Sequence, residues 1–270
     1  MSHELFNAVA PHVVPLVIVF SRLTGLFILA PILGGSSIPA RVKVLLAAAL
    51  TLIVYPTIPL ETLDLPATPD LASLAPLMAS ELLVGLSVGA LASLPILAAQ
   101  AGGHLISQQM ALAIASVFDP ATDTDGDLMG QALTFLLLAI FLAMGGLELM
   151  IGAVVRTFEL VPLGAFAFGQ APLELFVALM GAAFEVAIRI AAPVVCVIFV
   201  ETLATGMIMK TVPQLNILSF GFPLKILAGL GMLAGSIIYI DAAMDGFVDR
   251  SLAAIGSWVE SLGEETSHAG

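Results

Sequence analysis

The chain has 270 residues, 60% of them hydrophobic and only 10% charged, against about 25% charged in ordinary soluble domains. Its net charge of −12 excludes a nucleic-acid binder, which needs a basic surface. The lone cysteine, Cys196, excludes a disulfide framework or a thiolate metal cluster. Uncharged runs recur at the length that crosses a bilayer, roughly 20 residues. They are unbroken, without the alternation of barrel strands, so the fold class is an all-α membrane protein with no soluble domain.

The first apolar run covers 13–33, interrupted by Arg22, and the turn-rich GGSSIPARVK follows with Arg41 and Lys43. No Lys or Arg precedes Arg22, so the basic start of a signal peptide is missing. A second run, 44–60, closes on Pro56 and Pro59. The acidic, proline-rich ETLDLPATPD comes next, with Asp70 placed to cap a helix. Positive-inside counting places the 34–43 loop in the cytoplasm and the N-terminus outside.

The third run, 71–118, is too long for one simple span, and Gly102-Gly103 is expected to break or kink it. A run over 128–155 ends near Arg156 and VPLG. Pro172 and Glu174 suit the first turn of a helix reaching about Met209, with a kink expected at Pro193. The last run, 215–240, is interrupted by Pro223 and Lys225. The tail beyond it is amphipathic and then polar, with GEETSHAG expected to fray. Cys196, in PVVCVIF, is expected to be a small buried hydrophobe.

Charges inside apolar runs are the usual carriers of chemistry, because one at a helix centre costs about 2.5–3.5 kcal/mol on insertion scales. Here they are Arg22, Glu81, Glu148, Glu185, Arg189, Glu201, Lys210 and Lys225. Glu185 and Arg189, four apart with the acid first, are a candidate buried ion pair. They could serve as an ion relay or as a neutralised packing pair. Glu81 and Glu148 could couple ions in a transporter, or face a neighbouring helix near a helix end. Gly85–Gly89 and Gly231–Gly235 are GxxxG patterns that permit close helix approach.

Catalytic signatures are absent, and no metal or cofactor is called for. His104 reads as a polar packing residue. Asp119, Asp123, Asp125 and Asp127 lie within nine positions, but Gly126 is out of register for a calcium loop. This acidic, turn-prone segment is held between two long apolar arms. It is either a solvent loop or a movable element at the mouth of a pathway.

Several motifs stand in order: RLTGLFILAPIL at 22–33, IPARVKVLLAAALTLIVYP at 38–56 and QQMALAIASVFDP at 108–120, then RTFELVPLG at 156–164 and VPQLNILSFGFPLKILAGL at 212–230. Together they resemble the FliR family, the R-type component of the flagellar export gate, with its virulence type III secretion relatives. The resemblance covers nearly the whole chain and is most specific in the QM…FDP and PQLN…GFPLK segments.

It implies a non-enzymatic subunit of bent helical hairpins packed into a helical gate in the bacterial inner membrane. Its partners there would be P-type and Q-type subunits, a B-type specificity-switch subunit, membrane lipid and unfolded export substrates. Residues 1–170 would be P-like, 171–245 a Q-like hairpin and 246–270 a polar tail. The segment ending in the DP turn would plug the closed channel, carried by Gln108, Gln109, Met110, Ile114, Val117, Phe118, Asp119 and Pro120. Ile114 and Val117 depart from the aromatics that many relatives carry there. Pro213, Gln214, Asn216, Gly221, Phe222 and Pro223 would form an assembly surface. A small-solute or ion transporter using Glu185, Arg189 and Glu81 is the competing reading.

Overall fold

A computed structural model describes residues 2–35, 38–58, 71–112, 127–161, 163–164, 172–211 and 220–269, with side chains described between 12 and 262 except 71–73. These residues form α1 (Ser2–Leu29), α2 (Ala40–Val54) with a 3-10 turn at Tyr55–Thr57, and α3 (Leu71–Gln109). They continue through α4 (Leu128–Ala143), α5 (Gly146–Leu160), α6 (Leu173–Thr211) and α7 (Phe222–Ala269). No strand occurs among the described residues. Among the described residues five helical stretches are long and apolar enough to cross a membrane, or six if the bent pair α4–α5 is one span. The chain is an all-α membrane protein.

Two compact units divide it. The first comprises Met1–Ser93, Met144–Val177 and Arg250–Gly270; the second comprises Leu94–Ala143 and Ala178–Asp249. In the first unit, α1 buries Ile18, Val19, Leu23, Leu26 and Phe27, a three-to-four-residue recurrence that lays one helical stripe inward. Glycines let α1 and α3 touch backbone to backbone. A Cβ on Gly85 would collide with the Arg22 carbonyl oxygen and lie 2.8 Å from the Leu26 nitrogen; one on Gly89 would lie 3.0 Å from the Leu26 oxygen. The first GxxxG pattern is therefore used within the chain.

The second pattern meets no neighbour among the described residues: none lies within 4 Å of where a Cβ on Gly231 or Gly235 of α7 would sit. The end of α7 also departs from expectation. It stays helical through Ala269, and Ser251, Ile255, Trp258, Val259 and Leu262 bury one side of it in the first unit. That stripe ends at Leu262, and the helix continues beyond it through the segment whose polar composition suggested fraying.

Two further expectations are corrected. Gly102-Gly103 does not break α3, which is continuous for 39 residues. Those glycines instead admit neighbours in the second unit: a Cβ on Gly102 would lie 3.0 Å from the Ala187 oxygen, and one on Gly103 would lie 2.5 Å from Gly130 Cα. The 128–155 run, expected as one piece, is bent by 63° between α4 and α5. Gly145 makes the bend by adopting φ +72°, a left-handed conformation that favours glycine. α6 passes through Pro193 as one 39-residue helix.

Cys196 is exposed, contrary to the expected burial. In a membrane protein the faces turned away from the chain are apolar too, so local hydrophobicity does not select the buried side. The same holds for Phe184, Ile188, Phe199, Leu203 and Met207 on α6, all more than half exposed.

Candidate functional site

At the middle of the first unit lies a buried ion pair between residues 59 apart. Arg22 Nε donates to Glu81 Oε2 at 2.5 Å, and both side chains have no exposed surface. Arg22 Nη1 donates to Thr157 Oγ1 at 3.0 Å, Nη2 reaches the Val161 carbonyl at 3.5 Å, and the guanidinium carbon stands 4.3 Å over the Phe158 ring. The other Glu81 oxygen accepts the Gly164 N–H at 2.7 Å. Paired charges with satisfied donors are the form in which ionised groups persist away from water.

The geometry gives a shared purpose to two stretches singled out in the sequence. RLTGLF supplies Arg22 and the close-packing Gly25, while RTFELVPLG supplies Thr157, Phe158, Val161 and Gly164. Sequence reasoning named Arg22 and Glu81 separately and missed their pairing, because nothing local links positions so far apart. Glu81, engaged on both oxygens, is not a free coupling carboxylate.

Glu185 and Arg189 do meet, with Arg189 Nη2 donating to Glu185 Oε1 at 2.5 Å and Nε to the same oxygen at 3.0 Å. They are not buried, however: the side chains are 62% and 67% exposed. α6 turns Leu179, Ala183, Val186, Ala187 and Ile190 inward, which leaves the pair on the opposite face. Burial, the premise of both the relay and the neutralised packing pair, is not met within this chain, and the transporter reading finds no support.

In the second unit, the ends of the acidic segment form a stem. α3 stops by a Schellman motif: the Leu112 N–H donates to the Ser107 carbonyl and the Ala111 N–H to the Gln108 carbonyl, both at 3.1 Å. Ala111 takes φ +57°, at the position where glycine is usual. α4 starts from Asp127, whose Oδ1 accepts the Gly130 N–H at 2.9 Å, an N-cap.

Ser107 ties stop to start. Its hydroxyl donates to Asp127 Oδ1 at 2.8 Å and accepts the Met129 N–H at 3.1 Å. His104 adds a 3.3 Å contact from Nδ1 to Asp127 Oδ2, and its Nε2 lies 2.8 Å from Gln108 Nε2. Residues 112 and 127 are thus flanked by one hydrogen-bonded cluster.

Of the expected plug residues, Gln108 and Gln109 are exposed at the end of α3. Met110 is fully buried, at the site where a Cβ on Gly229 would meet its side chain at 2.9 Å. Ile114, Val117, Phe118, Asp119 and Pro120 lie outside the described residues, as do Pro213, Gln214 and Asn216. Gly221 is buried, Phe222 half-buried and Pro223 exposed at the start of α7. Among the described residues no group of three or more His, Cys, Asp or Glu could hold a metal ion.

Apolar helices of spanning length, a buried charge pair between α1 and α3, and a stem flanking an acidic segment define a polytopic membrane protein. The family described as bacterial export proteins, family 1, matches residues 13–251, so the chain belongs to that family, the FliR type. It is 34% identical over 220 residues to the flagellar biosynthetic protein FliR of Bacillus subtilis (strain 168), covering 80% of this chain and 83% of the relative. To the flagellar biosynthetic protein FliR of Escherichia coli (strain K12) it is 30% identical over 216 residues, 79% of this chain and 80% of the relative. The secretion system apparatus protein SsaT of Salmonella typhimurium (strain LT2) is 26% identical over 216 residues, 78% and 82% respectively. The chain is a membrane-embedded component of a flagellar or type III secretion export apparatus.

Proposed function

We propose that the chain is a structural, non-enzymatic subunit of the export gate, seated in the bacterial inner membrane at the flagellar basal body. There it helps form and seal the channel for unfolded export substrates, alongside P-type and Q-type subunits and the B-type specificity-switch subunit. Residues 1–170 serve as the P-like part, 171–245 as the Q-like hairpin and 246–270 as the tail. Pro213, Gln214, Asn216, Gly221, Phe222 and Pro223 contribute assembly surface.

The observation that carries this reading is the stem. A helix stop at Ala111 and a helix start at Asp127, joined through Ser107, anchor both ends of 113–126. These bonds fix the two flanks of the segment beside each other. Its content suits a stopper: apolar Ile114, Val117 and Phe118 can exclude water and ions from a narrow place by dewetting, and the sequence that follows them is polar and acidic.

The test is deletion of 114–126 in cells carrying the rest of the apparatus. Raised membrane conductance together with altered export is the expected result. Unchanged conductance and unchanged export would remove the sealing role. Recovery of other gate subunits with the tagged chain in mild detergent tests the partner assignment independently.

A further inference from the structure

Within the second unit, α6 and the start of α7 border a pocket of about 250 Å³, whose Gly221 and Phe222 edge is shared with the proposed assembly surface. Its lining includes Glu201, Thr202 and Thr205 from α6, and Gly221, Phe222 and Lys225 from the other side. One acid and one base, both half-buried, therefore border the same space without forming an ion pair. Thr205 Oγ1 donates to Glu201 Oε1 at 2.7 Å, while Oε2 has only a 3.4 Å contact from Thr202 Oγ1. Among the described residues Lys225 has no hydrogen-bond or ion-pair partner.

Charges in a membrane protein are costly unless they are answered by opposite charge, and this pair is held apart. A phosphate beside Lys225 satisfies the ammonium. An ammonium beside Glu201 satisfies the free carboxylate oxygen. Val200, Ala204 and Ile208, at four-residue spacing on the side of α6 that carries Glu201, expose apolar surface, as do Phe220 and Leu224 close to Lys225 in the chain.

From this juxtaposition we infer that the pocket binds the headgroup of a zwitterionic phospholipid with a primary ammonium, a phosphatidylethanolamine. Its phosphate is held by Lys225, its ammonium by Glu201, and its acyl chains lie along the exposed apolar stripe of α6. Phosphatidylcholine offers no N–H to Glu201, and phosphatidylglycerol offers no cation. Selectivity among the three therefore reads out both charges. The inference needs only the membrane embedding and is independent of the sealing role.

The experiment is native mass spectrometry of the full chain, purified with its co-expressed gate subunits and equilibrated in turn with each of the three lipids. Phosphatidylethanolamine should be retained on the order of tenfold better than either other lipid, the scale of one charge-assisted hydrogen bond. Lys225→Ala should abolish that retention, Lys225→Arg should restore it, and Glu201→Gln should erase the preference over phosphatidylcholine. Arg189→Ala, outside the pocket, should change nothing.

Equal retention of all three lipids would overturn the inference, as would a preference surviving both pocket substitutions. Displacement of the lipid by free phosphoethanolamine alone would overturn the lipid assignment in favour of a soluble phosphoamine. A Lys225→Ala chain that keeps its lipid but loses the other gate subunits would assign the pocket to protein. Flagellar assembly scored in the same strains separates this result from the gate reading.

Discussion

An arginine with no exposed surface persists only when its charge and its donors are answered, and Arg22 has Glu81, Thr157, the Val161 carbonyl and the Phe158 face around it. Removing one partner of such a pair strands the other charge, at a typical cost of 3–5 kcal/mol. Arg22→Ala and Glu81→Ala should each destabilise the chain by about that amount, read from denaturation in detergent. The double change Arg22→Met with Glu81→Leu leaves no charge stranded and should cost clearly less than either single change. Equal losses in all three would show that the site is held by packing alone. At the stem the signs differ. Ala111 occupies a left-handed conformation at φ +57°, so Ala111→Gly should stabilise by about 1 kcal/mol by relieving backbone strain. Asp127→Ala removes the N-cap of α4 and should cost about 0.5–2 kcal/mol, with the larger effect expected because Ser107 loses its acceptor as well. Hydrogen exchange at the Gly130 amide, which Asp127 caps, checks the local origin of the second loss.

Two Gly-Gly pairs show how far helical elements were legible in the sequence. Gly102-Gly103 and Gly145-Gly146 look alike to any rule based on glycine's freedom, and the first was read as the break. The reverse holds: α3 runs unbroken through 102–103, where a side chain would strike Ala187 and Gly130, and the bend falls at Gly145. The difference lies in what packs against each glycine, and no sequence window contains that. Helix identity was legible, since long uncharged runs admit little else in a membrane. The start of α6 at Leu173 was legible from Pro172 and Glu174. The inward face was not, because α6 is apolar on both sides, so Cys196 and the Glu185–Arg189 pair were placed inside and are outside. The stem was half legible: the acids and turn residues of 119–127 mark a boundary, but the hydrogen bonds from Ser107 cross a gap of 20 residues. No described residue lies within 4 Å of where a Cβ on Gly145 would go, so Gly145→Ala should cost only the left-handed penalty, about 1–2 kcal/mol. Gly103→Leu meets backbone at 2.5 Å and should cost more, so a comparison of the two in detergent denaturation separates conformational from steric need. Equal losses would contradict the close contact between α3 and the start of α4.

At the scale of the whole molecule, the large apolar surface left uncovered has to be met by lipid or by other chains. Val200 on α6 is 65% exposed, and Ile238 and Tyr239 on α7 are 75% and 78% exposed. A bilayer would satisfy them, and so would the neighbouring subunits of an export gate; the two GxxxG patterns provide a way to distinguish these occupants. Small residues matter where another backbone must come close, and lipid chains make no such demand. Gly85 is already occupied by α1. Gly85→Leu should therefore lower the stability of the chain by itself, before any partner is considered, because backbone on both helices would have to move. Gly235 meets nothing within 4 Å among the described residues, so Gly235→Leu should leave the isolated chain as stable as before. If subunits cover the face carrying Gly231 and Gly235, the same substitution should sharply reduce recovery of gate partners with the tagged chain and reduce flagellar assembly alongside. If lipid covers it, recovery and assembly should both be unaffected, since an added leucine in contact with acyl chains costs nothing and adds apolar surface. Loss of recovery without loss of chain stability is the outcome expected of a subunit in an assembly. A Gly235→Leu chain that keeps all its partners would leave α7 facing the bilayer along that stripe and would confine the assembly surface to other parts of the chain.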